Sequence, residues 1–341
     1  MTTNKIAEPL YFKPLMMERV WGGNRLSALH GKPIPPGKTI GESWELVDRP
    51  EAQSQIVGGP LDGKTLREAL LQYPQDILGS LAHAKPKFFP LLLKYVDAGS
   101  PLSVQVHPDD IGAKAFNDRG KSECWVIVHA DAGAEIVRGL KPGTTRQQYE
   151  DAVAKDRVED VLHAFKPRVG DLVALPPGMV HAIGTGLVVA EIQQNSDLTF
   201  RIYDYKRLGL DGRPRQLHVK EALSAIRFEG NGDEFAGDMR ADTVAPLETE
   251  SSRGVKNELL LHGRYFDLRR YTITPGAKFM LPARPEAPRV LMCISGAGTL
   301  GGGEIKTGQT VLLPAAQPEI EVLSHDGNLT LLVSAPTVAS C

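Results

Sequence analysis

Apolar residues in this chain fall mostly in short runs broken by glycine and proline, not in the longer three-to-four-residue rhythm of helices. Phe89–Val96, Cys124–Val128 and Leu187–Ile192 are such runs, each of strand length and bounded by turn-forming residues. With 34 Gly and 25 Pro among 341 residues, punctuation is frequent enough to keep most elements short. Strands without regularly intervening helices argue for an all-β barrel or sandwich architecture over a doubly wound sheet.

Three segments break this pattern. Thr65-Leu66-Arg67-Glu68 has the spacing of a capping box and predicts a helix to about Gln72, before Pro74. Thr145 with Gln148 is a second box. It opens a polar stretch whose apolar positions (Val153, Val158, Val161, Leu162, Phe165) are spaced helically, and this reads as a helical insertion between strands near 145–165. A third helix is predicted over Leu217–Phe228. Residues 229–257 are rich in Gly, Asp, Glu and Ser and read as a linker. The expected division is therefore a first domain at 1–228, a linker at 229–257 and a second strand-rich domain at 258–341.

An internal echo joins the two parts. Gly170 is followed at fixed spacing by Pro176, Gly178 and His181; Gly308 is followed at the same spacing by Pro314, Ala316 and Glu319. The turn grammar recurs while the histidine is replaced, which suggests two related barrels, one bearing a metal and one not.

The chemistry concentrates in the first part. Gln105 and His107 alternate on one strand in Ser103-Val104-Gln105-Val106-His107-Pro108 and so face the same side. Glu123 and His181 lie at the ends of other strand-like runs. Two imidazoles, a carboxylate and an amide oxygen form a mixed nitrogen and oxygen set suited to a divalent cation such as zinc. Taken singly, each has a structural alternative: a strand-end histidine bonded to backbone, or a carboxylate in a salt bridge. Lys94, on an apolar strand, needs a phosphate or carboxylate neighbour if buried. Trp21 and Trp44 suit either an apolar wall beside a ligand or ordinary core. His30, His83, His129, His163, His218, His262 and His325 have no comparable context and read as surface or structural.

Composition narrows the rest. The net charge of -2 gives no global field toward nucleic acid or an anionic membrane, so an anionic ligand must be held by local Lys and Arg. No run reaches the length of a membrane span, and Met1–Leu10 lacks the apolar core of a signal peptide. Cys124, Cys293 and Cys341 are odd in number and unpaired in spacing, as expected of free thiols in a reducing, cytoplasmic setting.

Several motifs together resemble a known family. Gly-x5-Pro-x-Gly-x2-His is similar to a signature of the cupin superfamily of metal-holding β-barrels. Arg19-Val20-Trp21-Gly22-Gly23, Gly41-Glu42-Ser43-Trp44-Glu45, Leu102–Pro108, Gly120-Lys121-Ser122-Glu123, Pro176–His181 and Gln194–Arg201 resemble, in order over about residues 8 to 226, the type I phosphomannose isomerases in their shorter bacterial form. The resemblance implies two cupin-like barrels and an aldose–ketose isomerase acting on mannose 6-phosphate and fructose 6-phosphate. It implies one Zn2+ held by Gln105, His107, Glu123 and His181, and it places Arg201 beside the substrate. Lys121 projects near the same cavity, Ser103, Lys94 and Lys206 match phosphate-side positions, and Glu191 matches a carboxylate lining the site. Trp21 and Glu42 count as substrate-side residues with them. The base is open among Glu191, Lys121 and a metal-bound water, and Glu191 has the alternative role of accepting a hydrogen bond from a ligand histidine. Two departures stand out: Val20 occupies a position that is acidic in longer members, and the large helical domain of eukaryotic members is absent. A metal-dependent oxygenase and a non-catalytic sugar-phosphate sensor are the rival readings. A small-molecule sugar phosphate is the expected partner, with no nucleic acid or membrane, and the chain is expected as a monomer or homodimer.

Overall fold

The computed structural model describes residues 5–228, 235 and 242–341. Its strands form four stacked layers. The first is a five-stranded sheet in the order Leu162–Phe165, Ile136–Leu140, His181–Ile183, Val104–Val106, Phe200–Tyr203. Facing it is a six-stranded sheet in the order Leu172–Leu175, Glu123–Ala130, Leu187–Gln194, Leu91–Asp97, Ile40–Leu46, Leu15–Gly23. An eight-stranded sheet and then a four-stranded sheet follow, built mainly from the C-terminal part. Neighbouring strands within each sheet are antiparallel.

The alternation along one strand explains the stacking. In Leu187–Gln194, Val188, Ala190 and Ile192 point into a core shared with Val290, Met292 and Leu332 of the eight-stranded sheet. Leu187 and Val189 point the other way, against Ile136 and Ile183 of the five-stranded sheet. Burial on both faces is why this run reads as continuously apolar. Glu191 shares the side of Val189, so the strand's period of two carries its carboxylate into the space between the first two layers. The third core lies between the eight- and four-stranded sheets, where Leu291 and Val311 meet Leu300 and Val322.

The expected barrels are not closed: each pair of sheets faces the other without strand pairing joining their edges. The expected boundary between the two parts is crossed by backbone pairing. Leu10–Lys13 and Gln55–Val57 extend the eight-stranded sheet, with Leu10 opposite Leu312. Of the expected linker, 229–234 and 236–241 lie outside the described residues, whereas Glu248–Ser252 is the other edge strand of that sheet.

Both capping boxes form. Thr65 caps Leu66–Gln72 with Glu68 bonding back, and Thr145 caps Arg146–Ala154 with Gln148 bonding back. The third helix is Val219–Ala225, inside its predicted span. The second helical stretch ends early. Asp156 turns the backbone left-handed, a short 3-10 turn covers Val158–Val161, and Leu162–Phe165 is a strand paired with Ile136–Leu140. Apolar residues three and four apart are satisfied by a turn followed by a strand instead of one long helix.

The sequence echo has a common geometry. Gly170 donates to Ile127 O and Ile127 donates to Asp171 O; Gly308 donates to Cys293 O and Cys293 donates to Gln309 O. Both glycines adopt φ near +90° (92° and 87°), a conformation other residues rarely take, and each opens a strand ending just before the matched proline.

Candidate metal centre and its cavity

Three buried side chains from two facing sheets converge. His107 follows Val104–Val106, His181 opens His181–Ile183, and Glu123 opens Glu123–Ala130. The ring orientations are set by backbone. His107 Nδ1 lies 2.8 Å from Leu198 O, and His181 Nδ1 lies 2.9 Å from Met179 O. A carbonyl only accepts, so each Nδ1 carries the proton and each Nε2 presents a lone pair. Those two Nε2 atoms stand 3.1 Å apart. Glu123 Oε1 is 3.3 Å from His181 Nε2 and 3.7 Å from His107 Nε2.

Two lone pairs and a carboxylate aimed at one point repel unless something positive lies among them, and the Lys121 ammonium, 3.1 Å from His107 Nε2, meets that need from one side only. Protonation is disfavoured: burial, then the Lys121 ammonium, push His107 down to about 3, and burial lowers His181 as well. Burial works to raise Glu123, but Lys121 and His107 outweigh it and hold its carboxyl well below the usual range. Neither Glu123 oxygen makes a hydrogen bond, although Lys121 Nζ is 2.9 Å from Oε2. The ligand atoms of the three residues lie within 4.8 Å of one another, and the donor set fits a divalent cation. Gln105 sits directly opposite His181 in the strand pairing and lines the adjoining cavity.

That cavity has a volume of about 680 Å³. Its walls include Trp21, Ser103, Lys121 and Arg201, as well as a buried charge network. Cross-strand register builds the network, because Lys94 lies opposite both Glu191 and Trp44. Lys94 Nζ is 3.1 Å from Glu191 Oε1 and 3.6 Å from Glu42 Oε1, and Lys121 Nζ is 3.8 Å from Glu191 Oε1. Trp125 donates to Glu191 Oε2 at 2.9 Å, Trp44 donates to Glu42 Oε2 at 2.9 Å, and Arg19 donates to the same Glu42 oxygen at 2.7 Å.

The two carboxylates diverge. Burial, then the Glu123 charge, raise Glu191 to about 7 against the pull of Lys94. Glu42 is buried too, but Lys94 and Arg19 together bring it down to about 2. Burial would lower Lys94, and Glu191 and Glu42 reverse this, so its ammonium is held charged.

A family model, the phosphomannose isomerase type I catalytic domain, matches residues 10–121. The mannose-6-phosphate isomerase ManA of Bacillus subtilis is 33% identical over 322 residues, covering 92% of this chain and 96% of that protein. A mannose-6-phosphate isomerase of Streptococcus mutans is 31% identical over 335 residues, covering 96% of this chain and 98% of the relative. The chain belongs to the type I phosphomannose isomerase family. The crystal structure of the mannose 6-phosphate isomerase from Bacillus subtilis superposes with a TM-score of 0.83 at 31% identity, covering 96% of this chain and 99% of that one. A putative mannosephosphate isomerase from Archaeoglobus fulgidus, 20% identical with a TM-score of 0.74, shares the fold over 98% of this chain and 99% of its own. The predominantly β architecture is thus that of the phosphomannose isomerases, a cupin fold.

Within this family frame, the structure gathers most of the residues singled out in the sequence and displaces one. Trp21, Glu42, Lys94, Ser103, Gln105, Lys121, Glu191 and Arg201 all line the cavity beside His107, Glu123 and His181. Lys206 does not. Its side chain is 78% exposed and pairs with Asp156 at 2.6 Å on the surface. Tyr205 and Lys206 both have left-handed backbone, and that tight turn carries Lys206 away from the site. The neighbours found for Lys94 are carboxylates. Glu191 accepts nothing from the ligand histidines, whose Nδ1 protons go to backbone carbonyls. Trp44 belongs to a small core with Val47 and Leu92, so of that pair Trp21 is the one that lines the cavity, where Trp125 joins it. Arg19, Asp197, Arg215 and His218 also line the cavity without having been singled out. Arg19 and Asp197 lie inside recognised motifs, Arg215 sits in a polar loop with no periodic signal, and His218, expected as surface or structural, immediately precedes the helix Val219–Ala225.

Proposed function

We propose that this chain interconverts D-mannose 6-phosphate and D-fructose 6-phosphate, with a divalent cation, Zn2+, held by Gln105, His107, Glu123 and His181. The observation that carries this reading is the pair of imidazole Nε2 atoms 3.1 Å apart beside Glu123. They stand on a cavity that also holds a buried carboxylate between two ammonium groups. Membership of an isomerase family supplies the reaction class. A bound cation supplies Lewis acidity at the sugar's carbonyl oxygen and the hydroxyl beside it. Gln105 is a neutral donor, so Glu123 brings the only formal negative charge among the four.

The reaction moves one proton between C1 and C2 of the open-chain sugar, through an enediol. The group that takes it must also give it back. Glu191 suits this role, because burial raises it to about 7, where a carboxyl both binds and releases protons at neutral pH. Lys94 and Trp125 fix its two oxygens in place. Lys121, within 4 Å of both Glu123 and Glu191, offers a cation to the oxygens on which negative charge develops. Arg201 and Ser103 hold the remainder of the sugar phosphate, and Glu42 keeps Lys94 and Arg19 in register.

Free thiols, two of them buried, fit a reducing interior, and we place the enzyme in the cytoplasm as a monomer or homodimer. Among the described residues, no helix is long and apolar enough to cross a membrane. The division into a metal-bearing part at 1–228 and a metal-free part from 258 remains our reading, supported by the repeated glycine turn. A coupled assay on zinc-loaded protein tests the function. Formation of fructose 6-phosphate from mannose 6-phosphate is expected, and full metal loading without turnover would overturn it in favour of a sugar-phosphate sensor.

A further inference from the structure

The cavity has a second charged corner besides the metal centre. It is built by the loop that follows the strand Phe200–Tyr203. A hairpin closes this loop, with Leu208 bridged to Pro214 and Gly209 donating to Arg213 O. Its root is pinned by Asp204, which is buried. Arg207 Nη2 donates to Asp204 Oδ1 at 2.7 Å, and Arg215 Nε donates to Oδ2 at 2.7 Å, with Arg215 Nη2 also on Oδ1. Arg207 is held in the scaffold, since it also donates to Ser100 Oγ and Pro101 O, although its Nε has no hydrogen-bond partner, and it does not line the cavity.

Positive groups cluster in this corner. Arg201, Arg207 and Arg215 gather about the buried carboxylate of Asp204, and Arg201 and Arg215 line the cavity together with Asp197 and Asp211. Arg201 Nε is buried and has no hydrogen-bond partner, while its Nη1 is held by Gln216 O at 2.9 Å. His218 adds a neutral donor. Its Nδ1 accepts the Arg201 backbone N–H at 3.2 Å, so the ring proton is on Nε2, and His218 lines the cavity beside the two arginines. Two guanidinium groups side by side, an unpartnered buried guanidinium N–H and an imidazole N–H together make a site for a tetrahedral oxyanion. A bidentate guanidinium anchored by a carboxylate behind it is rigid, so little entropy is lost when an anion binds.

We propose that Arg215 and His218 are specificity-determining residues that receive the phosphate end of the substrate alongside Arg201. Lys206 has no part in that contact. The proposal rests on the sugar-phosphate reading above, and its test is chosen so that the two fail separately.

The test uses inorganic phosphate as the probe on zinc-loaded, full-length protein, with binding measured by calorimetry and by competitive inhibition of turnover. Arg215→Gln is expected to weaken phosphate binding and to raise KM for mannose 6-phosphate by about tenfold or more, a loss of about 1.4 kcal/mol per decade. Zinc content stays at the wild-type value and kcat stays within about threefold, because the interaction is the same in ground and transition states. Arg215→Lys restores part of the affinity. His218→Phe keeps the ring and removes Nε2–H, and it is expected to weaken phosphate binding several-fold; it carries the test if Arg215→Gln does not fold. Phosphate binding unchanged in both variants would overturn the proposal. A fall in kcat with phosphate affinity intact would also overturn it. Phosphate binding lost in the variants of a wild-type protein with no isomerase turnover would leave this site standing and remove the isomerase reading.

Discussion

The Lys94 ammonium stands 3.1 Å from the Glu191 carboxylate, directly across a pair of antiparallel strands in the middle of the six-stranded sheet. Both groups are buried, so each sets the other's charge state. Lys94 is the largest influence lowering Glu191, against burial and the Glu123 charge. Lys94→Met removes that influence, so the Glu191 carboxyl rises further and holds its proton to higher pH. The acid limb of the kcat/KM profile is expected to move up by about one pH unit, with kcat/KM at pH 7 depressed about fivefold. An acid limb that stays in place or moves down contradicts the role given to the pair.

Glu191→Gln removes the proposed proton carrier but keeps the shape and the acceptor for Trp125 Nε1. A loss of about 10²–10⁴ in kcat is expected, with zinc content unchanged. Arg201→Ala is expected to depress turnover while retaining metal, because Arg201 bonds to Gln216 O and not to the metal-site residues. Metal analysis run beside the kinetics checks both, and loss of zinc in either variant would contradict the assignments.

His30 is not among the cavity-lining residues, and it sets a limit on acid stability. It stacks on Tyr95 with ring centroids 4.3 Å apart, and neither ring nitrogen has a hydrogen-bond partner. Burial, then Lys32, lower it from 6.5 to about 4. The unfolded chain binds this proton below pH 6.5, whereas the native protein resists until about pH 4. The group's contribution is therefore complete above pH 6.5 and is lost as pH falls through that window, on the order of 3 kcal/mol. His30→Phe keeps the stacked ring and removes the titration. Urea denaturation at pH 7 and pH 4.5 is expected to show a smaller acid loss in the variant, and equal losses would refute this.

Gly308 tests the turn shared with Gly170. Its φ is +87°, and a Cβ there would lie 2.3 Å from His30 O. Gly308→Ala is expected to cost about 3 kcal/mol or more through strain and displacement of that backbone. Per folded molecule, turnover stays at the wild-type level. A variant within about 1 kcal/mol of wild type in thermal or chemical denaturation would show that the turn relaxes freely.

Much of the site was legible because its residues carry local signals. Alternation in Ser103–Pro108 placed Gln105 and His107 on one side, and a candidate ligand opens each of the strands beginning at Glu123 and His181. Capping boxes at Thr65 and Thr145 marked two helix starts to the residue. What was hidden depends on long-range partners. Apolar residues on both faces of Leu187–Gln194 signal double burial but not that one face meets the eight-stranded sheet. Leu162–Phe165 becomes a strand because Ile136–Leu140 offers it an edge. Lys206 and Arg215 lie nine positions apart in one polar loop, and only the left-handed turn at Tyr205 and Lys206 turns one outward, while Asp204 holds the other against the cavity.

The central claim is that a cation belongs among His107, His181 and Glu123, and metal content with affinity tests it most directly. Wild-type protein dialysed against zinc is expected to hold one ion per chain, and His181→Ala to hold none under the same conditions, with isomerase activity lost in parallel. A His181→Ala protein that keeps stoichiometric zinc, or a metal-stripped wild type that turns over at full rate, would contradict the account.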